Sequence, residues 1–172
     1  MKPILIAMVL VFTGCASLAL EGTYDGKGLY SSKSGRIHCK YFRGGEDTVT
    51  DASDENGESV AFVGVFGTSR IDLIRSEFVG NRTPEQFIRE MYLTAIDSVT
   101  LSGSVDIELE GTKGTYFLST LTKGGETEKR VFLVVEGKAD KLFLHYSNSA
   151  GMDETSIVKL TKDFYKHCKI KM

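Results

Sequence analysis

The sequence predicts an α+β domain: an antiparallel sheet of about six to eight strands with helices packed on it. Three observations predict it. Strand-like alternation runs from Val105 to Ser147, broken by short Gly-bearing turns. The tetrapeptide Thr83-Pro84-Glu85-Gln86 has the form of a helix start, and a second amphipathic stretch runs from Glu154 to about Lys169. The 172 residues are 41% hydrophobic and 26% charged, which suits one packed core under a soluble surface. A net charge of −2 gives no global attraction to nucleic acid, and none is expected as a partner.

The first residues stand apart from the fold. Lys2 is followed by nine unbroken apolar residues, Ile4 to Phe12. A membrane span needs ~20 residues, so this run is too short for one and instead fits the apolar region of a secretory signal peptide. Phe12-Thr13-Gly14-Cys15-Ala16-Ser17 follows, and it resembles the lipobox of bacterial lipoproteins, with Phe12 in place of the usual Leu. The resemblance implies cleavage before Cys15, lipidation (palmitate) of Cys15 and anchoring of the chain to the membrane through that lipid. Ala16 in second place implies the outer membrane, facing the periplasm. Cleavage after Ala19, giving a secreted or periplasmic chain, is the alternative. The expected organisation is a signal peptide over 1–14, a tether over 15–25 and a single α+β domain over 26–172.

Within the domain, Gly28 to Ser32 and Arg36 to Phe42 read as strands around the polar turn Ser32-Lys33-Ser34-Gly35. Alternation puts Ile37, Cys39 and Tyr41 on the apolar face and turns His38 and Lys40 away. Arg43 to Ser59 reads as an acidic loop. Val60 to Phe66 and Arg70 to Phe78 are the next strands. Thr83 is the expected N-cap, with Pro84 in the first helical position and Gln86 closing a capping box. That helix is expected to reach Asp97 and to bury Ile88, Met91, Tyr92, Ala95 and Val99. After Ser102-Gly103 comes a four-stranded meander, in which Val131 to Val135 is apolar at every position and so belongs in the sheet interior, covered on both faces. The last helix, Glu154 to about Lys169, is capped by Asp153 or Thr155. Its apolar stripe is Ile157, Leu160, Phe164 and Cys168, and its Lys159, Lys162, Lys166 and Lys169 form a solvated or headgroup-facing stripe.

Once Cys15 is accounted for, two cysteines remain, each in a His-Cys-Lys triplet: Cys39 and Cys168. Adjacent His and Cys on a strand point to opposite faces, which counts against a shared metal. Both cysteines fall on core-facing positions, as a disulfide requires. It would close a loop of about 130 residues and contribute ~4 kcal/mol in the chain-entropy model. Buried free thiols and a metal or redox centre are the competing readings.

Catalytic motifs such as Gly-x-Ser-x-Gly, His-Glu-x-x-His and a phosphate-binding glycine loop do not occur. No catalytic residue, metal site or cofactor is expected. His145 with Ser147, on one strand face, is the remaining hydrolase candidate. The acidic stretch Glu46 to Glu58 is the calcium or small-ligand candidate, although an EF-hand loop begun at Asp51 places Asn56 where the turn glycine belongs and Phe62 where the last carboxylate belongs.

The order of elements resembles the Mog1/PsbP-like fold. The turn Tyr30-Ser31-Ser32-Lys33-Ser34-Gly35 precedes a strand. A hairpin over Val60 to Phe78 leads into Thr83-Pro84-Glu85-Gln86-Phe87. A meander through Phe117, Val131 to Val135 and Leu142 to Tyr146 leads into a final helix. The resemblance implies an α/β/α sandwich and a non-enzymatic binding or accessory role for an envelope protein partner.

Overall fold

The computed structural model describes residues 20–40, 48–64, 67–93, 98–109, 112–123, 125–148 and 153–172. The signal-peptide stretch, Cys15, Tyr41, Ala95 and the acids Glu46 and Asp47 lie outside them.

The strands are β1 (Thr23–Tyr24), β2 (Leu29–Ser31), β3 (Ile37–Lys40), β4 (Thr48–Asp54), β5 (Gly57–Gly64) and β6 (Gly67–Arg75). Helices α1 (Ser76–Val79) and α2 (Pro84–Tyr92) follow. Then come β7 (Ser98–Leu109), β8 (Thr112–Lys123), β9 (Glu126–Glu136), β10 (Asp140–Asn148), α3 (Glu154–Lys166) and β11 (Cys168–Ile170). Among the described residues the strands make two sheets. The larger has the order β4-β5-β6-β10-β9-β8-β7, and the smaller β1-β2-β3-β11. All pairings are antiparallel. The expected α+β class holds, and the meander β7 to β10 is present.

Alternation explains the layering. Leu133 and Val135 on β9, Leu142 and Leu144 on β10, and Ile71 and Leu73 on β6 share one face of the large sheet. Tyr30, Ile37, Cys39 and Cys168 of the small sheet cover it, together with Phe164 of α3. Phe132, Val134 and Phe143 share the opposite face, covered by Val79 of α1 and Phe87 and Ile88 of α2. Val131 to Val135 is therefore buried on both sides, as its composition predicted.

Helix α2 starts as its sequence dictates. Thr83 Oγ1 accepts from the Gln86 backbone N–H at 3.2 Å, and Gln86 Oε1 accepts from the Thr83 N–H at 2.9 Å. Its buried face is Phe87 and Ile88; Met91 is 47% exposed, contrary to expectation. Val99 belongs to β7 rather than to this helix. The expected break at Ser102-Gly103 is a register shift inside β7, between Ser102 and Ser104. Glycine in a strand commonly marks such a bulge.

Four further expectations are corrected. The segment read as a tether is docked from Leu20 onward: Thr23 and Tyr24 pair with β2, and the Glu21 and Gly22 N–H groups donate to Asp51. The segment read as an acidic loop contains β4 and the start of β5. Asp54 Oδ1 accepts from the N–H groups of Asn56 and Gly57 and so builds a tight hairpin turn. A Cβ on Gly57 would lie 2.2 Å from the Leu73 carbonyl oxygen, so the hairpin needs glycine there to approach β6. Phe78 lies on α1, because β6 ends at Arg75. Finally, α3 ends at Lys166 and is capped by Asp153; Cys168 begins β11.

Cys39 and Cys168 face each other across β3 and β11 and are bonded, with S–S 2.08 Å. The tie therefore joins two strands, not a strand and a helix. Arg36 reinforces it: its Nε donates to the Lys171 carbonyl at 3.1 Å, and its guanidinium pairs with Asp140 of the large sheet at 2.5 Å. Replacing both cysteines by serine is expected to lower the unfolding free energy on the order of 4 kcal/mol, the loop-closure value for so long a loop. The check is the urea midpoint; equal midpoints for wild type and the double variant would contradict it.

Candidate functional site

The face under α1 and α2 is only half covered. Over β10 and β9 the helices bury Phe143 and Phe132. Over β5 and β4 this face carries Gly57, Ser59, Ala61 and the exposed Val63, with Thr50, Ala52 and Asp54 beside them, and no helix of the described residues lies on them. A groove of about 420 Å³ results. One wall is Phe78, Phe87, Met91 and Tyr92. The other is the hairpin, with Ala52, Asp54, Asn56, Gly57 and Ser59. Arg70, Asp72 and Ile74 of β6 form the floor.

Asp72 is the centre of the floor and is 3% exposed. β6 alternates Arg70, Asp72 and Ile74 against Ile71 and Leu73, so a carboxylate points into the face that the helices cover. Its oxygens are taken. Arg70 Nε donates to Oδ1 at 2.8 Å, and Tyr92 Oη donates to Oδ2 at 2.9 Å. His145 Nε2 lies 3.6 Å from Oδ2, beyond normal hydrogen-bond length. His145 stacks on Phe132 at 5.2 Å and meets the edge of Tyr92 at 5.2 Å. Neither of its ring nitrogens has a hydrogen-bond partner among the described residues.

The electrostatics follow from burial. For His145, burial lowers the pKa and the nearby Asp72 carboxylate only partly offsets this, so the ring is neutral at pH 7. For Asp72, burial would raise the pKa, but the contacts with His145 and Arg70 outweigh it and hold the carboxyl below its usual range. Tyr92 is pushed well above the usual phenol value, first by burial and then by the Asp72 charge. For Arg70, burial opposes the charge, yet Asp72 more than compensates and the guanidinium stays protonated.

The site has a fixed ion pair, a phenol and a neutral imidazole, and it presents little of them to solvent. The Arg70 side chain, 43% exposed, is the accessible member. His145 faces the core under Tyr92, which removes the accessible base that a His145/Ser147 hydrolase requires. In the described part of the acidic stretch, the donors of the calcium reading are already in use. The Asp51 oxygens accept from the Glu21 and Gly22 N–H groups and from Tyr30 Oη, Asp54 builds its turn, and Glu58 accepts from Ser34 Oγ. Among the described residues no three His, Cys, Asp or Glu side chains converge as metal ligands. His38 turns away from Cys39, as alternation predicted, and bonds to Ser31 Oγ and the Gly35 carbonyl. The lysine stripe is shorter than expected. Lys159, Lys162 and Lys166 line an open hollow with Tyr116, whereas Lys169 sits on β11.

Sequence reasoning missed Arg70, Asp72 and Tyr92 as a unit. Arg70-x-Asp72, on the face opposite Ile71 and Leu73, was the available signal. Among the described residues no helix is long and apolar enough to cross a membrane.

No family model and no curated protein matches the sequence. Solved structures do share its fold. A crystal structure from Bacteroides thetaiotaomicron VPI-5482 matches at TM-score 0.54 and 12% identity, covering 86% of this chain and 49% of that one, so this chain spans about half of that protein's length. The solution structure of cyanobacterial PsbP (CyanoP) from Synechocystis sp. PCC 6803 matches at TM-score 0.53 and 9% identity, covering 93% of this chain and 99% of that one. LpqN of Mycobacterium tuberculosis, described as involved in cell envelope biogenesis, overlaps at TM-score 0.37 and 13% identity, over 76% of this chain and 88% of its own. The domain is thus an α+β domain with a PsbP-like fold.

The buried network makes stability sensitive to acid. His145 has a lower pKa folded than unfolded, so the unfolded chain takes the proton first and stability falls as pH drops below about 6.5. Asp72 adds a further loss as pH falls below ~3.9 through its lowered native value. Urea midpoints at pH 7.5 and pH 5.5 should differ more in wild type than in His145→Gln. Equal differences would show that another group carries the acid sensitivity.

Proposed function

We propose that the chain is a non-enzymatic binding or accessory module of the bacterial cell envelope. In this reading it is held at the membrane through lipidated Cys15, on the periplasmic face of the outer membrane, and engages an envelope protein partner. The observation that carries the reading is the groove, a preformed concave site with an aromatic wall, whose cluster of Arg70, Asp72 and Tyr92 is locked in a buried network rather than presented for chemistry. Its volume falls in the ~300–1,000 Å³ range of ligand sites. The Cys39–Cys168 bond supports an oxidising compartment. The lipobox-like Thr13-Gly14-Cys15 supports export and anchoring. The PsbP-like fold supports the domain type and leaves the partner open.

The test is cross-linking and capture of the native protein from envelopes, with mass spectrometry. One envelope protein enriched over a Cys15→Ser control, and an N-terminal peptide that begins at an acylated Cys15, are the expected results. An unmodified N-terminus after Ala19 would remove the lipid anchor, and failure to enrich any envelope protein would remove the module reading.

A further inference from the structure

The groove has two unlike walls and one fixed cation on its floor. Phe78, Phe87 and Met91 are apolar, and Met91 stands exposed with no role in the core. Opposite them, Asn56 and Ser59 of the hairpin offer polar side chains. Between the walls, Arg70 is pinned through Nε to Asp72, which Tyr92 Oη holds from its other oxygen. Among the described residues, Nη1 and Nη2 of Arg70 have no acceptor in the structure. A guanidinium whose plane is set in advance, with one edge used and its terminal nitrogens open, is a receptor for a second planar anion.

We propose that this groove receives the C-terminus of a partner polypeptide ending in an apolar residue. The terminal carboxylate binds the Arg70 Nη atoms. The last side chain lies against Phe78 and Met91. The peptide backbone faces Asn56 and Ser59, which a bare hydrocarbon acid would leave unmatched. Charge decides for a carboxylate over a cation once the acids of the lining are accounted for: Asp72 is buried and already paired, Asp54 accepts from the Asn56 and Gly57 N–H groups, Glu58 accepts from Ser34 Oγ, and Arg70 is the charged group of the floor that solvent reaches. Asp72 and Tyr92 are positioning residues that hold the guanidinium still. This inference rests on the module reading above and names the chemistry of its partner.

The chain has no tryptophan, so a peptide carrying one reports alone. The probe is acetyl-Ala-Ala-Trp, as the free acid and as the C-terminal amide, followed by tryptophan anisotropy against the full mature chain. The free acid should bind. Amidation should weaken binding by about tenfold or more, the scale of a lost charge-assisted hydrogen bond. Arg70→Gln should lose as much, with Arg70→Lys between the two. Met91→Glu, which leaves the Asp72 network intact and places a charge on the apolar wall, should weaken the free acid as well; it keeps the test decisive if Arg70→Gln does not fold. Equal binding of acid and amide, or wild-type affinity in folded Arg70→Gln and Met91→Glu, overturns the proposal. Decanoate binding in place of the peptide would also overturn it, in favour of a free apolar acid. Capture of the same envelope protein by wild type and Arg70→Gln would overturn this inference while leaving the module reading standing.

Discussion

The double-sided burial of β9 and β10 is the constraint from which the other layers follow. Val131 to Val135 and Leu142 to Leu144 carry apolar side chains on both faces. An antiparallel sheet can ordinarily leave one face to water; this one cannot. One cover comes from the middle of the chain, as α1 and α2. The other comes from its two ends, as β1 to β3 with α3 and β11. A cover assembled from distant segments lacks local reinforcement, and the Cys39–Cys168 bond and the Arg36 contacts with Asp140 and the Lys171 carbonyl supply it.

What was legible in the sequence was local. The capping box of Thr83 and Gln86 needs only four residues, and the glycine-bearing turns of the meander need as few. The doubly apolar run at Val131 reports its own burial. What was illegible depends on pairing with remote residues. Cys168 continues the helical spacing of Ile157 and Phe164, yet it pairs with β3 instead, 129 residues away in sequence. Strand β4 read as a loop because it is an edge strand whose Asp51 turns its charge toward Tyr30 and the backbone of Glu21 and Gly22. The Asp72 network joins Arg70 and Asp72 of β6 to Tyr92 of α2 and His145 of β10, and no short window of sequence contains it.

That network serves architecture and site together. Tyr92 comes from the last turn of α2, Asp72 from β6 and His145 from β10, so their contacts fasten the helix layer to the sheet. The fastening holds α2 over one half of the face, and the half that no helix of the described residues covers is the groove. The same carboxylate that anchors the helix also orients Arg70, and that shared duty explains why an acid is retained at a position 3% exposed.

The β3–β11 pairing also orders maturation in time. A chain made from its N-terminus presents Cys39 long before Cys168 arrives. Through that interval Cys39 is a lone thiol on an unfinished small sheet. The bond can close only after all strands of the large sheet have been made, so the disulfide acts as a completion mark for the chain.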